Sequence, residues 1–294
     1  MNKIVRSIRL KVGDFIVQIR FFEPGIEMKR EYSKKMLQFI ALLEKYYTLV
    51  PFSDLNPHAV INIFDLSLHN TAIIHKTVNK TASSVYVHLY SRNRMTFGTS
   101  YTISHSQFRF ILLKIFIELL AVNKCFLLHA SSIKVNNEVH LFTGNSGAGK
   151  STIVRLLTPE FTPFSDELIL VKKLSSSYVA GQSFFREKNR FIMPDTNFYP
   201  IKNIYFIHQS EKTYLKSMTN KNTMVKKLAQ QLRTDIHNGS IQFTEIAQFV
   251  DSFSSFYDLF FEKKRGKVVA LVKHHNTHPA ANSIRDRQEN NYKK

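Results

Sequence analysis

The chain of 294 residues has a single cysteine, Cys125, which excludes an internal disulfide. Its apolar neighbours make it a buried structural thiol, expected in a reducing cytoplasm. No stretch near the N-terminus has the charged, apolar and small-residue order of a signal peptide. Long hydrophobic runs are missing too. The most apolar segment, 108–122, is broken by Arg109, Lys114 and Glu118, so it predicts an amphipathic helix rather than a membrane span, and no membrane partner is expected. Internal repeats are absent. Acidic residues are few, 22 Asp and Glu against 41 Lys and Arg, for a net charge of +19. A charge of this size invites a nucleic-acid partner, because clustered cations release counterions from phosphates. The basic residues are scattered, however, and no nucleic-acid module surrounds the densest run, Lys212 to Arg233. That run predicts a solvated helix face that attracts acidic or phosphorylated partners instead.

What is present fits a folded protein, with 44% hydrophobic and 21% charged residues over a length that suits one large domain or two smaller ones. The sequence predicts an α+β lobe over 1–122. Ile4–Val12 and Phe15–Phe22 alternate around Gly13-Asp14 as a hairpin. Lys34–Tyr46 and Ser106–Val122 have helical spacing, and Ala59–Phe64 and Ser84–Tyr90 read as strands. No metal spacing or reactive constellation occurs in this lobe, which leaves it packing or substrate recognition. A second domain, 123–273, reads as α/β. Phe126–Val135 and Glu138–Thr143 predict strands around Asn136-Asn137, a pair that tolerates the positive φ of a tight turn. A helix from about Gly149 to Leu157 follows, then strands at Phe161–Phe164 and Leu168–Val171. Hairpin-like material is expected around Gly181–Glu187 and Ile201–Ile207, a helix at Thr223–Gln231, and final elements at Phe253–Phe260 and Val268–Val272. Residues 274–294 predict a disordered polar tail.

Between the second strand and the helix lies Gly144-Asn145-Ser146-Gly147-Ala148-Gly149-Lys150-Ser151, a match to the phosphate-binding pattern G-x-x-x-x-G-K-[ST]. The glycines let consecutive N–H groups curl toward phosphate oxygens, and the helix start adds its positive dipole end. Lys150 is the contact for the β- and γ-phosphates and the Ser151 hydroxyl the ligand for Mg²⁺. Thr152 completes the candidate nucleotide-binding set, so ATP and Mg²⁺ are the expected cofactors. If Asn136-Asn137 is a two-residue turn, paired residue numbers sum to 273, and His129 falls opposite Gly144. An imidazole there donates to a phosphate oxygen or tunes a neighbouring carboxylate; a plain structural histidine is the alternative. Asp166 and Glu167 follow a strand expected to run parallel beside the one that enters the loop, which brings them to the ligand edge of the sheet. One carboxylate suits Mg²⁺ and the other accepts a proton from an attacking hydroxyl. Glu187 is a further candidate metal contact.

The segments Leu128-His129-Ala130-Ser131, Phe142 to Thr152 and Phe164-Ser165-Asp166-Glu167 together resemble the HPr kinase/phosphorylase-like family of P-loop kinases, which are related in structure to phosphoenolpyruvate carboxykinases. The resemblance is strongest over 127–171. It continues more loosely through 181–187, 200–206 and 256–261, and it does not reach the N-terminal lobe. It implies a cytoplasmic bacterial kinase of the serine/threonine type, a phosphoacceptor partner and assembly into oligomers. By position, Asp166 matches the catalytic aspartate, His129 the active-site histidine, Lys150 and Ser151 the phosphate and metal contacts, and Glu187 a later metal-site glutamate. Three departures mark a divergent relative, of the kind found beside peptide-modification genes. Thr152 stands where the enzymes acting on HPr have Glu, Asp166-Glu167 replaces Asp-Asp, and a Glu-x-Arg-Gly-x-Gly signature is missing. The expected activity is ATP-dependent transfer of a phosphoryl group to a serine-like hydroxyl of a protein, peptide or small molecule. An NTPase coupled to a partner, a carboxykinase-like enzyme and a non-catalytic nucleotide-binding module stay open.

Overall fold

The computed structural model describes residues 3–12, 15–23, 29–52, 56–64, 87–91, 94–100, 103–175, 177–183, 191–234 and 239–277. The chain is mixed α and β, and two compact units divide it between Leu119 and Leu120.

The first unit runs β1 (Ile4–Val12), β2 (Phe15–Phe22), α1 (Lys29–Tyr46), β3 (Thr48–Val50), β4 (Ala59–Phe64), β5 (Val87–Ser91), β6 (Arg94–Ser100) and α2 (His105–Val122). Its strands form one mixed sheet in the order β3-β1-β2-β4-β6-β5. Val12 pairs with Phe15, the register of a two-residue connection; Gly13 and Asp14 themselves lie outside the described residues. Alternation along β2 buries Val17, Ile19 and Phe21, and the two helices bring aromatic rings to the sheet. Phe39 of α1 meets Phe108 of α2 edge-on at 5.0 Å, and Phe15 meets Phe116 at 5.9 Å.

The second unit continues with β7 (Cys125–Leu128), β8 (Ala130–Val135), β9 (Glu138–Thr143), α3 (Lys150–Leu157), β10 (Thr162–Ser165), β11 (Ile169–Leu174), β12 (Ser177–Gln182) and β13 (Phe198–Gln209). It ends with β14 (Tyr214–Ser217), α4 (Lys221–Ala229), β15 (Leu232–Arg233), α5 (Gly239–Ser252), β16 (Phe256–Phe261) and α6 (Arg265–Thr277). The sheet order is β10-β8-β9-β13-β12-β11-β7-β15, with β16 joined to β13 and β14 to β16. β9, β13 and β16 run parallel to one another, and apolar helices cover both faces, as parallel strands require. On one face Phe126, Phe206 and Phe256 pack against Met224 and Leu228 of α4 and Ile246, Phe249 and Val250 of α5. On the other, Phe142, Tyr205 and Phe261 meet Ile153, Val154 and Leu157 of α3 and Val268 and Val272 of α6. Each such ring contributes about 2 kcal/mol by leaving water. Cys125 is buried, its thiol directed at the Asn123 carbonyl.

Several elements depart from the sequence reading. The expected single strand 126–135 is two strands with different partners, β7 pairing with β11 and β15 and β8 with β9 and β10. β10 is parallel to β9 but not beside it, because β8 lies between them and is antiparallel to both. The helix α5 has no counterpart in the sequence reading. Val268–Val272 belong to α6, which continues past residue 273 to Thr277 and buries His275 against Tyr205 and Tyr257.

That last cluster makes the fold sensitive to acid. His140 is buried, with its Nδ1 paired to the Asn203 amide at 3.2 Å, and the same amide donates to the Tyr205 hydroxyl at 3.0 Å. Burial, with the charges of His275 and Lys202, lowers the His140 pKa to about 3. A folded pKa below the unfolded one means that the stabilisation is present above about pH 6.5 and is lost as pH falls toward 3. We expect the urea midpoint to drop over that window, with a loss on the order of 3 kcal/mol by pH 4. In His140→Asn, which keeps an acceptor for Asn203, the loss should shrink; an unchanged profile would show that other groups carry it.

Candidate functional site

The loop between β9 and α3 is shaped by backbone that only glycine adopts easily. Gly147 and Gly149 have φ of 80° and 102°, and Gly149 caps α3. No side chain of the described residues caps that helix, so its first amides face the loop interior. Asn145, Ser146 and Gly147 stand exposed at the crest, and the described chain does not occlude them. Gln209, at the end of β13, donates to the Gly147 carbonyl at 2.8 Å and steadies the crest. Lys150 curls back over the loop, its ammonium donating to the carbonyls of Gly144 at 2.7 Å and Asn145 at 3.1 Å. Burial, then Arg233, lower its pKa, against the opposing effect of Asp166.

The Asn136-Asn137 turn has the expected positive φ values, 48° and 61°, and the pairing sums to 273 from Val135–Glu138 out to Ala130–Thr143. At the next step the ladder stops. The His129 amide donates to the Gln231 carbonyl at 2.8 Å, and its carbonyl accepts from the Thr143 hydroxyl at 3.3 Å. His129 is thus the single residue between β7 and β8, and it sits close enough to Lys150, Arg233 and Glu167 to sense their charges. Burial, followed by the Lys150 and Arg233 charges, lowers its pKa to about 4, so at neutral pH it is an uncharged imidazole.

Asp166 reaches the loop from the far side of β8. Ser165 donates to the Leu168 carbonyl at 3.0 Å and closes a turn around Asp166 and Glu167. Gln182 pins the strand just before the turn, donating to the Phe164 carbonyl at 2.7 Å. At this position the Asp166 carboxylate lies beside the Ser151 hydroxyl and within the fields of Arg155, Glu167 and Lys150. Burial, reinforced by Glu167, outweighs Ser151, Arg155 and Lys150 and holds its pKa above the usual carboxylate range. The strand order differs from the expectation, yet the edge is the expected one, because β9 and β10 point the same way. The structure therefore gathers His129, Lys150, Ser151, Asp166 and Glu167 around Gly144–Gly149, with Thr152 in the first turn of α3. Glu187 lies outside the described residues.

Further groups at the loop have no local motif. Arg233 joins through its field on Lys150 and His129. On the β13 side, a cleft of about 450 Å³ runs along Gly144–Ala148, walled by His208, Gln209, Lys227, Gln230 and Gln231. Asp258 in β16 accepts from Lys227 at 2.6 Å and from His208 at 2.8 Å. Burial raises the Asp258 pKa, but these two hydrogen bonds prevail and bring it below the ordinary value. Lys227 and Arg233 come from the basic run expected to be a solvated face, and the fold turns both toward the loop.

Among the described residues no group of three or more His, Cys, Asp and Glu side chains forms a ready metal cage. The arrangement fits Mg²⁺ all the same, because that ion takes one or two protein ligands and completes its shell with water and substrate phosphates. No described helix is long and apolar enough to cross a membrane. No protein-family model matches the chain, and no curated protein matches it.

Proposed function

We propose that the second unit is a phosphoenolpyruvate carboxykinase-like P-loop kinase domain that transfers the γ-phosphoryl group of ATP to a serine-like hydroxyl. The observation that carries this reading is the placement of Asp166 beside Ser151 of the glycine loop and within the field of Lys150, which sets a carboxylate at the cradle. The amides at Gly147–Lys150 and the Lys150 ammonium, released from the Gly144 and Asn145 carbonyls, bind the phosphate oxygens. Ser151 and Glu167 are the residues that would hold Mg²⁺, which when bound would neutralise charge on the β- and γ-phosphates. The acceptor oxygen bonds to the γ-phosphorus as the bond from that phosphorus to the bridging oxygen of ADP breaks, and the acceptor proton passes to Asp166. A pKa raised by burial suits a proton acceptor. Uncharged His129 donates one hydrogen bond to a phosphate oxygen, and Arg233 adds positive charge behind Lys150. The lone buried thiol fits a reducing cytoplasm.

The test is incubation of the purified full chain with γ-labelled ATP, Mg²⁺ and an array of seryl peptides, proteins and hydroxylated small molecules. We expect an acid-stable phosphate ester on an acceptor. Release of the label solely as inorganic phosphate, at a rate indifferent to acceptors, would replace this reading with that of an NTPase.

A further inference from the structure

α4 separates two concavities of opposite character. One is the cleft of about 450 Å³ beside the glycine loop, to which α4 and the turn after it contribute Lys227, Gln230 and Gln231. The other is a groove of about 670 Å³ between α4 and α5, with Val225, Ala229, Phe243 and Ala247 as its apolar surface and Lys226 at its rim. Gln230 lines both, so the two adjoin around the C-terminal end of α4. Phe243 of the groove is 48% exposed, and so is Ile241 two residues before it on α5. The chain from Lys212 to Thr234 carries five lysines and an arginine and no acidic residue.

We propose that these adjoining concavities form the docking track of the phosphoacceptor, and that the acceptor is an acidic peptide segment with an apolar anchor residue. The anchor seats between α4 and α5, a carboxylate of the segment faces Lys226, and the hydroxyl passes over Gln230 into the cleft at the loop. This last step rests on the phosphotransferase reading; the docking does not. A helix about 10 Å across lies between groove and cleft, which corresponds to about three residues of extended chain between anchor and hydroxyl. The groove floor of valine and alanine takes a branched aliphatic side chain and offers few rings for bases to stack on, which favours a peptide over a nucleic acid. The cations steer association and select charge, while the groove fixes register.

Fluorescein-labelled seryl dodecapeptides provide the test, matched except that flanking positions are all Glu, all Gln or all Lys, each with and without a leucine three residues from the serine. Anisotropy with the full chain should show the Glu peptide with leucine binding at least tenfold tighter than its Gln counterpart, and more weakly as salt rises. Lys226→Glu should abolish the charge preference, and Ala229→Trp should abolish the leucine effect. Both variants should keep wild-type affinity for a fluorescent ATP analogue, which verifies their fold. Equal binding of the three charge series, or a charge preference that survives Lys226→Glu, overturns the proposal. So does a uridine dodecamer that binds tighter than every peptide and loses affinity in Lys226→Glu. Acidic peptides that dock as described but accept no phosphate leave the docking intact and sink the phosphotransferase reading.

Discussion

Asp166→Asn is expected to lower phosphoryl transfer by a factor of about 10² to 10⁴ while leaving ATP affinity within a few-fold of the parent. The amide is the same size, so the turn that Ser165 closes should persist. What it loses is the capacity to take a proton. The same substitution should raise Tm slightly. Burial holds the folded pKa of Asp166 above its unfolded value, so ionisation costs folding free energy as pH rises through the folded pKa, and removing the charge recovers that cost at neutral pH. Activity of the parent should correspondingly fall on acidification at a pH above the ordinary carboxylate range, because the acceptor becomes protonated there. Rate and stability moving in opposite directions distinguish a working carboxylate from a structural one. An Asn variant that is both less stable and fully active would contradict the assignment.

Gly149→Ala should be the most damaging single methyl in the loop. At φ of 102° an added Cβ is strained, at about 1–2 kcal/mol. It would also stand 2.9 Å from Cζ of Phe261, a ring wholly buried between sheet and helices and unable to swing clear. Strain and overpacking together set an expected loss of about 2–4 kcal/mol, readable in urea unfolding, with nucleotide affinity down at least tenfold. Gly147→Ala is the internal control. Its φ of 80° carries the strain, but no atom lies within 4 Å of the new methyl, so its stability loss should be about 1 kcal/mol. Phe261→Leu should recover part of the Gly149→Ala loss and none of the Gly147→Ala loss, the non-additivity expected of groups in contact. Equal penalties at the two glycines would show that the close approach to Phe261 is immaterial.

The parts of the site legible in the sequence are those encoded by short-range chemistry. Nine glycines serve the whole chain, and three of them crowd into 144–149, where their freedom is needed. Asn136-Asn137 announces its own turn, and counting outward from it gives the pairing of β8 with β9 as far as Thr143. The count fails at His129 because the Thr143 hydroxyl and the Gln231 carbonyl capture its backbone, and the second of these comes from a remote segment. Direction was legible where adjacency was not: a crossover helix dictates that β10 runs parallel to β9, but not that the hairpin strand β8 inserts between them. α5 has Ile246, Phe249 and Val250 at helical spacing, yet buried Gln242 and Glu245 on the same face blur the pattern. His208, Gln209, Lys227 and Arg233 belong to no motif, and only the closing of the sheet brings them to the loop.

His129 also dictates an order of events. The hairpin of β8 and β9 with α3 is made from neighbouring stretches of chain, so the cradle for phosphate can assemble from contacts that close quickly. The seam on the other side of His129 is sealed by β15, a late segment, which must be in place before the imidazole is enclosed. In refolding followed by pulsed hydrogen exchange, the amides of β9 should gain protection before the amide of His129. The chain would thus acquire its grip on polyphosphate first and the surroundings that govern reactivity second.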